Sequence, residues 1–280
     1  MIDLGYEETN GTKRMDCSSE EYRSLELLNQ SSLKVLLREP ELFHKQNILK
    51  TWREREPTKS LSFGVESELV VRSRGKCVVR CPDDVLTSNG QRRGKKFDEF
   101  RSEHSPGSVF VTDDDWCGHR SVLKNIEEHD VARELLLGDS GVWSTKWRYT
   151  PEFWDVELKA EVDLLLPDRD IVVDYKTSKA VDERSFIGSV ETFGYDFQAA
   201  AYLHLLEQRE GRRLQFFWVV AKNSPPYSTE VYEFGDDYRS RGHDKFERAI
   251  DEYLRRLEND DWKSETHGRT VVAQPPNWKD

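Results

Sequence analysis

The chain has 280 residues, of which 36% are hydrophobic and 34% are charged, and its formal net charge is −11. Its eight Trp, thirteen Phe and ten Tyr supply large side chains for a core, which argues against a wholly disordered chain. The negative balance argues against a protein that coats nucleic acid through a basic surface, although local basic clusters could still contact it. Two such clusters are Arg92, Arg93, Lys95 and Lys96, and Arg209, Arg212 and Arg213.

The sequence also predicts where the protein resides and how it is divided. No apolar run approaches the roughly 18 to 20 residues of a membrane span, and residues 1–17 lack the basic-then-apolar order of a signal peptide. We therefore expect a cytoplasmic protein without a membrane partner. No Gly/Ser linker or Pro-rich tract divides the chain, so we expect a polar N-terminal arm at 1–30 and one domain at 31–280.

The four cysteines do not form a disulfide framework in a chain of this size. A zinc site can be drawn from three of them and one histidine, but the spacing is loose, and reduced free thiols are the favoured interpretation. The zinc site would use Cys77, Cys81, Cys117 and His119, and Cys17 is the fourth cysteine, which lies outside it.

Helix signals predominate in the first half of the chain. Ser31 or Ser32 can cap the first helix, and Thr112 can cap one whose opening turn is acidic. The predicted helices are 31–37, one that begins at Pro40, 63–71, 92–104, one that begins after Thr112, and 131–137, and the predicted strands are 77–80 and 142–149.

The centre of the chain predicts a strand, a turn and a second strand at 158–166, 167–170 and 171–175. A period of two places Val162, Leu164 and Leu166 on one face of the first strand. Glu161, Asp163 and Leu165 lie on the other face, and Asp174 and Lys176 share a face of the second strand. The hairpin can therefore bring Asp163, Asp174 and Lys176 together.

Two carboxylates and one ammonium at a strand end are suited to metal-dependent hydrolysis. Hard cations such as Mg²⁺ prefer carboxylate, carbonyl and water oxygens, a role that Asp163 and Asp174 fit. A lysine at position 176 can orient or deprotonate a water, or neutralise charge in the transition state. The alternative is an exposed hairpin with an Asp–Lys cross-strand pair, which is common on β-surfaces.

A polar linker containing Phe186 is expected after the hairpin, and 194–206 predicts an amphipathic helix with Gln198 and Tyr202 on one face. Residues 214–221 and 228–234 predict neighbouring strands joined by a turn at 225–226, and 236–257 predicts a long helix. A docked tail is expected from Trp262, Val271, Val272 and Trp278. Together these elements predict an α/β fold, with a mixed central β-sheet flanked by helices.

The motifs resemble those of the PD-(D/E)XK nuclease superfamily, and within it the exodeoxyribonuclease VIII (RecE-type) branch, which is related to RecB-type nucleases. The specific motifs are Asp163, then Asp-x-Lys-Thr-Ser at 174–178 and Gly-Tyr-Asp-x-Gln-x-x-x-Tyr at 194–202. Looser matches are Ser31–Lys34, Glu39–Phe43 and the Phe63-Gly64 pair, so the resemblance covers residues 31–206.

The resemblance implies a restriction-endonuclease-like core and a site for Mg²⁺ or Mn²⁺. The metal ligands that it implies are Glu68, Asp163, Asp174 and the backbone carbonyl of Tyr175. It further implies that Lys176 handles the attacking water and that Gln198 and Tyr202 position a phosphate or the lysine. Glu68 is a departure, since the family carries a histidine there, and this substitution puts metal preference and rate in question.

The function that we expect is metal-dependent hydrolysis of DNA by an exonuclease acting on linear double-stranded DNA with a free end. The branch implies 5′ to 3′ polarity, a homo-oligomeric ring and a recombination partner protein. Three alternatives stay open at this point: a structure-specific endonuclease, a catalytically inactive DNA-binding or scaffold protein that keeps the fold, and an unrelated enzyme with a carboxylate site on a β-hairpin.

Overall fold

The computed structural model describes residues 1–52 and 59–272, in which a six-stranded sheet carries helices on both faces. The sheet order is β1, β4, β5, β6, β7, β8; β6 and β7 are parallel and the other neighbours are antiparallel. The short strands β2 and β3 pair separately. The strands are β1 Thr12–Met15, β2 Val78–Arg80, β3 Val109–Val111, β4 Val142–Tyr149, β5 Leu158–Leu166, β6 Ile171–Ser178, β7 Gln215–Lys222 and β8 Thr229–Glu233. The predicted mixed α/β architecture is confirmed.

The helices largely follow their sequence signals. They are α1 Ser19–Ser24, α2 Gln30–Arg38, α3 Pro40–Phe43, α4 Lys59–Ser73, α5 Lys95–Ser102, α6 Asp113–Glu128, α7 Asp130–Leu137, α8 Glu183–Phe193, α9 Tyr195–Glu210 and α10 Asp236–Asn259. Thr112 caps α6 as predicted, by accepting from the Asp115 N–H. The cap of α2 is Asn29, with Ser32 as its reciprocal partner, so the predicted serine cap is wrong.

Two of the described helices were not predicted: α1, which lies in the segment expected to be an arm, and α8. The segment expected to be a polar linker forms α8, because Asp182 caps its first turn and Phe186 and Val190, four residues apart, are both buried on one side. The stripe is short, and the surrounding residues are polar, so the periodic signal in the sequence is weak.

The two faces of the sheet bury separate cores. One face packs against α2, α9 and α10 through side chains such as Phe197, Trp218 and Phe246. The other face packs against α4, α6 and α7 through side chains such as Val122 and Val219. The even-numbered residues of β6 face α9, because Val172 lies in the first core while Val173 lies in the second.

The predicted central hairpin is confirmed. Strands β5 and β6 are antiparallel, with Leu166 opposite Ile171 and Leu164 opposite Val173, and a turn at Pro167–Arg169 joins them. This hairpin occupies the middle of the sheet, between β4 and β7.

The predicted face pattern of β5 is wrong at one point. Val162 packs in the core beside α9, whereas Leu164 and Leu166 pack in the core beside α4. The strand therefore changes face at Asp163, and in the described strands no ladder partner on either side is assigned to that residue. Ser144, the β4 residue opposite, has a φ of 52°, which turns β4 out of extended geometry.

The N-terminal segment and the segment around Trp262 both pack against the domain. Residues 1–30, predicted as an arm, contribute β1 to the sheet edge and place Ile2 in the main core. Trp262 docks as expected, but Val271 and Val272 are exposed, so the tail does not pack along its whole length; Trp278 lies outside the described residues. Within residues 1–52 and 59–272, none of the helices combines the length and apolar character that crossing a membrane requires.

Candidate active site

The hairpin opens where its two aspartates meet. Asp163 and Asp174 stand one step beyond the last paired residues of β5 and β6. The Tyr175 N–H donates instead to Asp163 Oδ2, at 3.3 Å. Because the hairpin ladder stops here, the two aspartates follow directly after the last pair that joins β5 to β6, and the Asp174 carboxylate raises the pKa of Asp163.

Asp174 is the most enclosed member of the site. It has no exposed surface, and its Oδ1 accepts a 3.0 Å hydrogen bond from Gln198 Nε2. Lys176 Nζ lies 2.5 Å from Oδ2, although the described residues offer that oxygen no well-aligned hydrogen bond. Gln198 Nε2 also lies 3.2 Å from the Tyr202 hydroxyl, so one face of α9 holds Asp174 through a buried pair four residues apart.

Like charges dominate the electrostatics of the site. Burial, and then the Asp174 carboxylate, hold the pKa of Asp163 well above its usual range. Burial and Asp174 also raise the pKa of Glu68. Burial alone would lower the pKa of Lys176, but Asp174 and Asp163 together outweigh it, so the pKa lies above its ordinary value and the side chain is held as ammonium.

Glu68 approaches this group from α4 and lines a cavity of about 480 Å³ that Asp163 and Tyr202 also line. Among residues 1–52 and 59–272, however, no three His, Cys, Asp or Glu side chains lie close enough to enclose a metal ion. The two aspartates are therefore the carboxylates that the structure brings into direct proximity, and Glu68 interacts with them only electrostatically.

The carboxylate oxygens of Asp163 and Asp174 fit a divalent cation in their chemistry and in their mutual repulsion. Asp163 and Asp174 are adjacent, buried or half-buried, and mutually repulsive, and an Asp174 oxygen lacks an aligned donor. A hard cation relieves such repulsion and takes oxygen ligands. The Tyr175 side chain points away, to the opposite core, where its hydroxyl is 2.7 Å from Ser67 Oγ, which leaves its main chain at the site.

One further basic residue belongs to this neighbourhood and was noted in the sequence only as part of a motif. Lys34 on α2 donates to the Phe193 carbonyl, and burial, together with repulsion from Lys176, lowers its pKa to about 8. Its methylenes pass Gly194, where an added Cβ would lie 3.0 Å from Lys34 Cδ and where φ is 62°. No local sequence signal connects two segments this far apart.

Three arginines of the predicted basic clusters are engaged within the fold. Arg209 is buried and donates to carbonyl groups of the N-terminal segment, and Arg212 pairs with Asp170. Arg92 pairs with Glu66 at 2.6 Å. These guanidinium groups are already engaged by the protein and are poor candidates for a DNA-binding surface.

Comparisons with known proteins agree with this architecture. A family model described as a PDDEXK-like domain of unknown function (DUF3799) matches residues 98–269, more than half of the chain, including both aspartates but not Glu68. The chain is similar to a candidate exonuclease from Eubacterium rectale at 17% identity, covering 94% of this chain and 97% of that one with a TM-score of 0.61. This likeness shows a shared fold.

A phage-related exonuclease from Haemophilus somnus 129PT aligns at 15% identity over 84% of this chain and 96% of that one, with a TM-score of 0.36. No curated protein matches the chain in sequence.

Proposed function

This chain belongs to the family of PDDEXK-like domains (DUF3799), and from that premise we propose that it is a divalent-metal-dependent deoxyribonuclease. The observation that carries the proposal is the adjacency of Asp163 and Asp174 at the opening of the central hairpin, with Lys176 ion-paired to Asp174. Two carboxyl groups buried side by side repel each other, and carboxyl groups perturbed in this way cluster at functional sites such as those that hold a divalent cation.

The metal ligands in this proposal are Asp163, Asp174 and the Tyr175 carbonyl. Glu68 lines the same cavity and would join them when an ion draws the three carboxylates together. When bound, Mg²⁺ or Mn²⁺ supplies electrostatic stabilisation of the phosphoryl oxygens. Gln198 supports the site by its hydrogen bond to Asp174, which fixes the carboxylate that must face the ion.

Lys176 acts on the water and on the developing charge. A water would attack phosphorus in line with the leaving 3′ oxygen, and the P–O3′ bond would break. The products are a 5′-phosphate and a 3′-hydroxyl, since the proton that the water loses to solvent balances the one that the 3′ oxygen takes up. The Lys176 ammonium lies beside Asp174 and stacks over the Tyr195 ring at 5.2 Å, so it is held where it can orient the water and neutralise negative charge. Tyr202 completes the wall by packing its hydroxyl against Gln198.

The finer assignment is an exonuclease on linear double-stranded DNA with a free end. The proposal also includes 5′ to 3′ polarity, a ring assembly and a recombination partner protein, which follow from the resemblance to the exodeoxyribonuclease VIII branch. It includes a cytoplasmic location, which follows from the sequence prediction. The similarity in fold to a candidate exonuclease supports the assignment.

A gel assay tests the proposal. Linear duplex labelled at the 5′ or the 3′ end, covalently closed circular duplex and single-stranded DNA are incubated with Mg²⁺, Mn²⁺ or EDTA. We expect metal-dependent degradation of linear duplex, with circular DNA intact and the order of label release reporting polarity. Asp174→Ala should abolish cleavage with the circular dichroism spectrum retained.

Two outcomes contradict the proposal at different levels. Cleavage of circular DNA would replace the exonuclease assignment with an endonuclease. An absence of cleavage on every substrate, or Asp174→Ala activity near that of the parent, would overturn the nuclease site itself.

A further inference from the structure

The cavity beside the aspartate pair also contains cationic side chains to which no role has been given. Arg72 on α4 and Arg23 on α1 line it together with Glu68 and Asp163. Both arginines are exposed, and in the described part of the chain neither forms an ion pair with a carboxylate. They differ in this respect from Arg92 and Arg209, which form ion pairs with Glu66 and Asp3; the Arg72 charge acts on Glu68 only through space, where it opposes the rise in the Glu68 pKa.

Arg72 is held in place by a neutral group. It lies one helical turn beyond Glu68, so the two side chains share a face of α4. Its Nη1 donates to Ser144 Oγ at 2.9 Å. A hydroxyl partner orients a guanidinium without neutralising it, and the other N–H groups of Arg72 stay available for a ligand.

Ser144 is in an unusual backbone conformation at the point where it meets Arg72. Its φ of 52° is left-handed, which costs an L-residue of this type about 1 kcal/mol. It stands opposite Asp163, at the break in the β4–β5 ladder. The same local distortion thus frees Asp163 for the site and turns the Ser144 hydroxyl toward Arg72.

The charge balance of the cavity indicates what Arg72 would bind. Glu68, Glu161 and Asp163 line one region, and Lys146 lies 3.4 Å from Glu161. Lys176 and the metal would face the scissile phosphodiester, so a neighbouring phosphodiester would meet these carboxylates, and a further fixed cation would offset their repulsion. The planar fork of arginine matches two phosphate oxygens better than lysine does.

We propose that Arg72 binds the non-bridging oxygens of a DNA phosphodiester next to the scissile one, and that Ser144 is its positioning residue. The proposal rests on the proposed function and adds to it a residue outside the expected ligand and lysine set. Arg23, on the same cavity, supplies a second cation to the same strand.

The primary test compares Arg72→Gln with Arg72→Lys, and with Arg101→Gln as a control that removes one exposed charge outside the cavity. Binding to a fluorescein-labelled duplex is measured by anisotropy in Ca²⁺ over a range of NaCl concentrations. Arg72→Gln should weaken affinity about tenfold and reduce the slope of log K against log salt by about 0.9, the value for one phosphate contact.

The control variants separate charge from folding. Arg72→Lys should keep the slope of the parent with an intermediate affinity, and Arg101→Gln should match the parent. Ser144→Gly removes the hydroxyl but accepts the positive φ, so it should raise KM about two- to threefold with kcat and melting temperature preserved. A purely structural role for Ser144 would instead lower the melting temperature and leave KM unchanged.

The outcomes distinguish this proposal from the general one. If the parent cleaves DNA but Arg72→Gln keeps the affinity and salt slope of the parent, Arg72 has no phosphate contact and only the nuclease assignment stands. If Arg72→Gln does not fold, the other two variants decide. A KM equal to that of the parent in both Ser144→Gly and Arg72→Lys would also show that Arg72 has no phosphate contact. If the parent neither binds nor cleaves DNA, both proposals fall.

Discussion

The helix that carries Gln198 is held by an unusually close contact with α10. At Gly242, an added Cβ would lie 2.5 Å from the Asp196 carbonyl oxygen and 3.0 Å from Ala200 Cβ. Arg241 and Lys245, on either side, both pair with the buried Asp196 carboxylate, at 3.1 and 2.6 Å. The replacement Gly242→Ala therefore tests how tightly the site is supported.

Two effects oppose each other at this position, and their sizes decide the sign. Alanine is favoured over glycine inside a helix by about 1 kcal/mol. Overpacking typically costs about 1 to 3 kcal/mol or more, and here the clash is with helix backbone, which cannot rotate away. Taking the upper end of that cost for a contact with backbone, about 3 kcal/mol, leaves a net loss of roughly 2 kcal/mol in the free energy of unfolding. This corresponds to about 4 to 8 °C in melting temperature for a protein of this size.

Gly188→Ala is the matched control. Gly188 lies inside α8, is exposed, and has no atom within 4 Å of an added Cβ, so only the helix preference acts and the variant should gain up to about 1 kcal/mol. Urea and thermal denaturation of both variants measure the difference, and nuclease assays follow the effect on the site. If Gly242→Ala is as stable as Gly188→Ala, the close packing of α9 against α10 is wrong.

Four further predictions address the site, the pH dependence and the assembly. Lys176→Ala should lower kcat by about 10²-fold or more with metal affinity largely kept in calorimetry; loss of metal affinity alone would make the lysine structural. Glu68→Gln should weaken divalent-metal binding and Glu68→His should keep activity with a shift toward Mn²⁺ over Mg²⁺, whereas unchanged metal dependence in both removes Glu68 from the ligand set. Burial, and then His243, lower the pKa of His204 from an ordinary value of 6.5 to about 4, so between these pH values the unfolded chain binds more protons than the folded one. From pH 7 to pH 4 the parent should therefore lose up to about 3 kcal/mol more stability than His204→Phe. Equal losses in urea titrations of the two proteins would contradict this. Light scattering should show an assembly larger than a monomer, and a monomer with distributive digestion would exclude the ring.

Short-range patterns in the sequence were sufficient to predict which of the candidate site residues contact each other. The alternation in β6 places Asp174 and Lys176 on one face, and a spacing of four places Gln198 and Tyr202 on one side of α9; the structure shows both pairs in contact. These predictions succeed because each depends on backbone periodicity within a single element. The turn after Leu166 likewise follows from a local cluster of turn residues.

Other features depend on contacts between distant segments. The change of face at Asp163 follows from a left-handed Ser144 on another strand, and strict alternation within β5 therefore predicted the wrong neighbours for Val162. Arg209 looked like part of a basic surface, but the carbonyls that engage it lie about two hundred residues away.

The placement of Glu68 and Arg72 beside the aspartates also depends on contacts between distant segments. Their shared face follows from the helical period of α4, but the surface that this face meets is set by how α4 packs on the sheet. Periodicity determines which side chains point the same way along one element. Packing of the two cores determines which charges from different elements share a cavity, because that choice depends on the burial of apolar surface over the whole sheet.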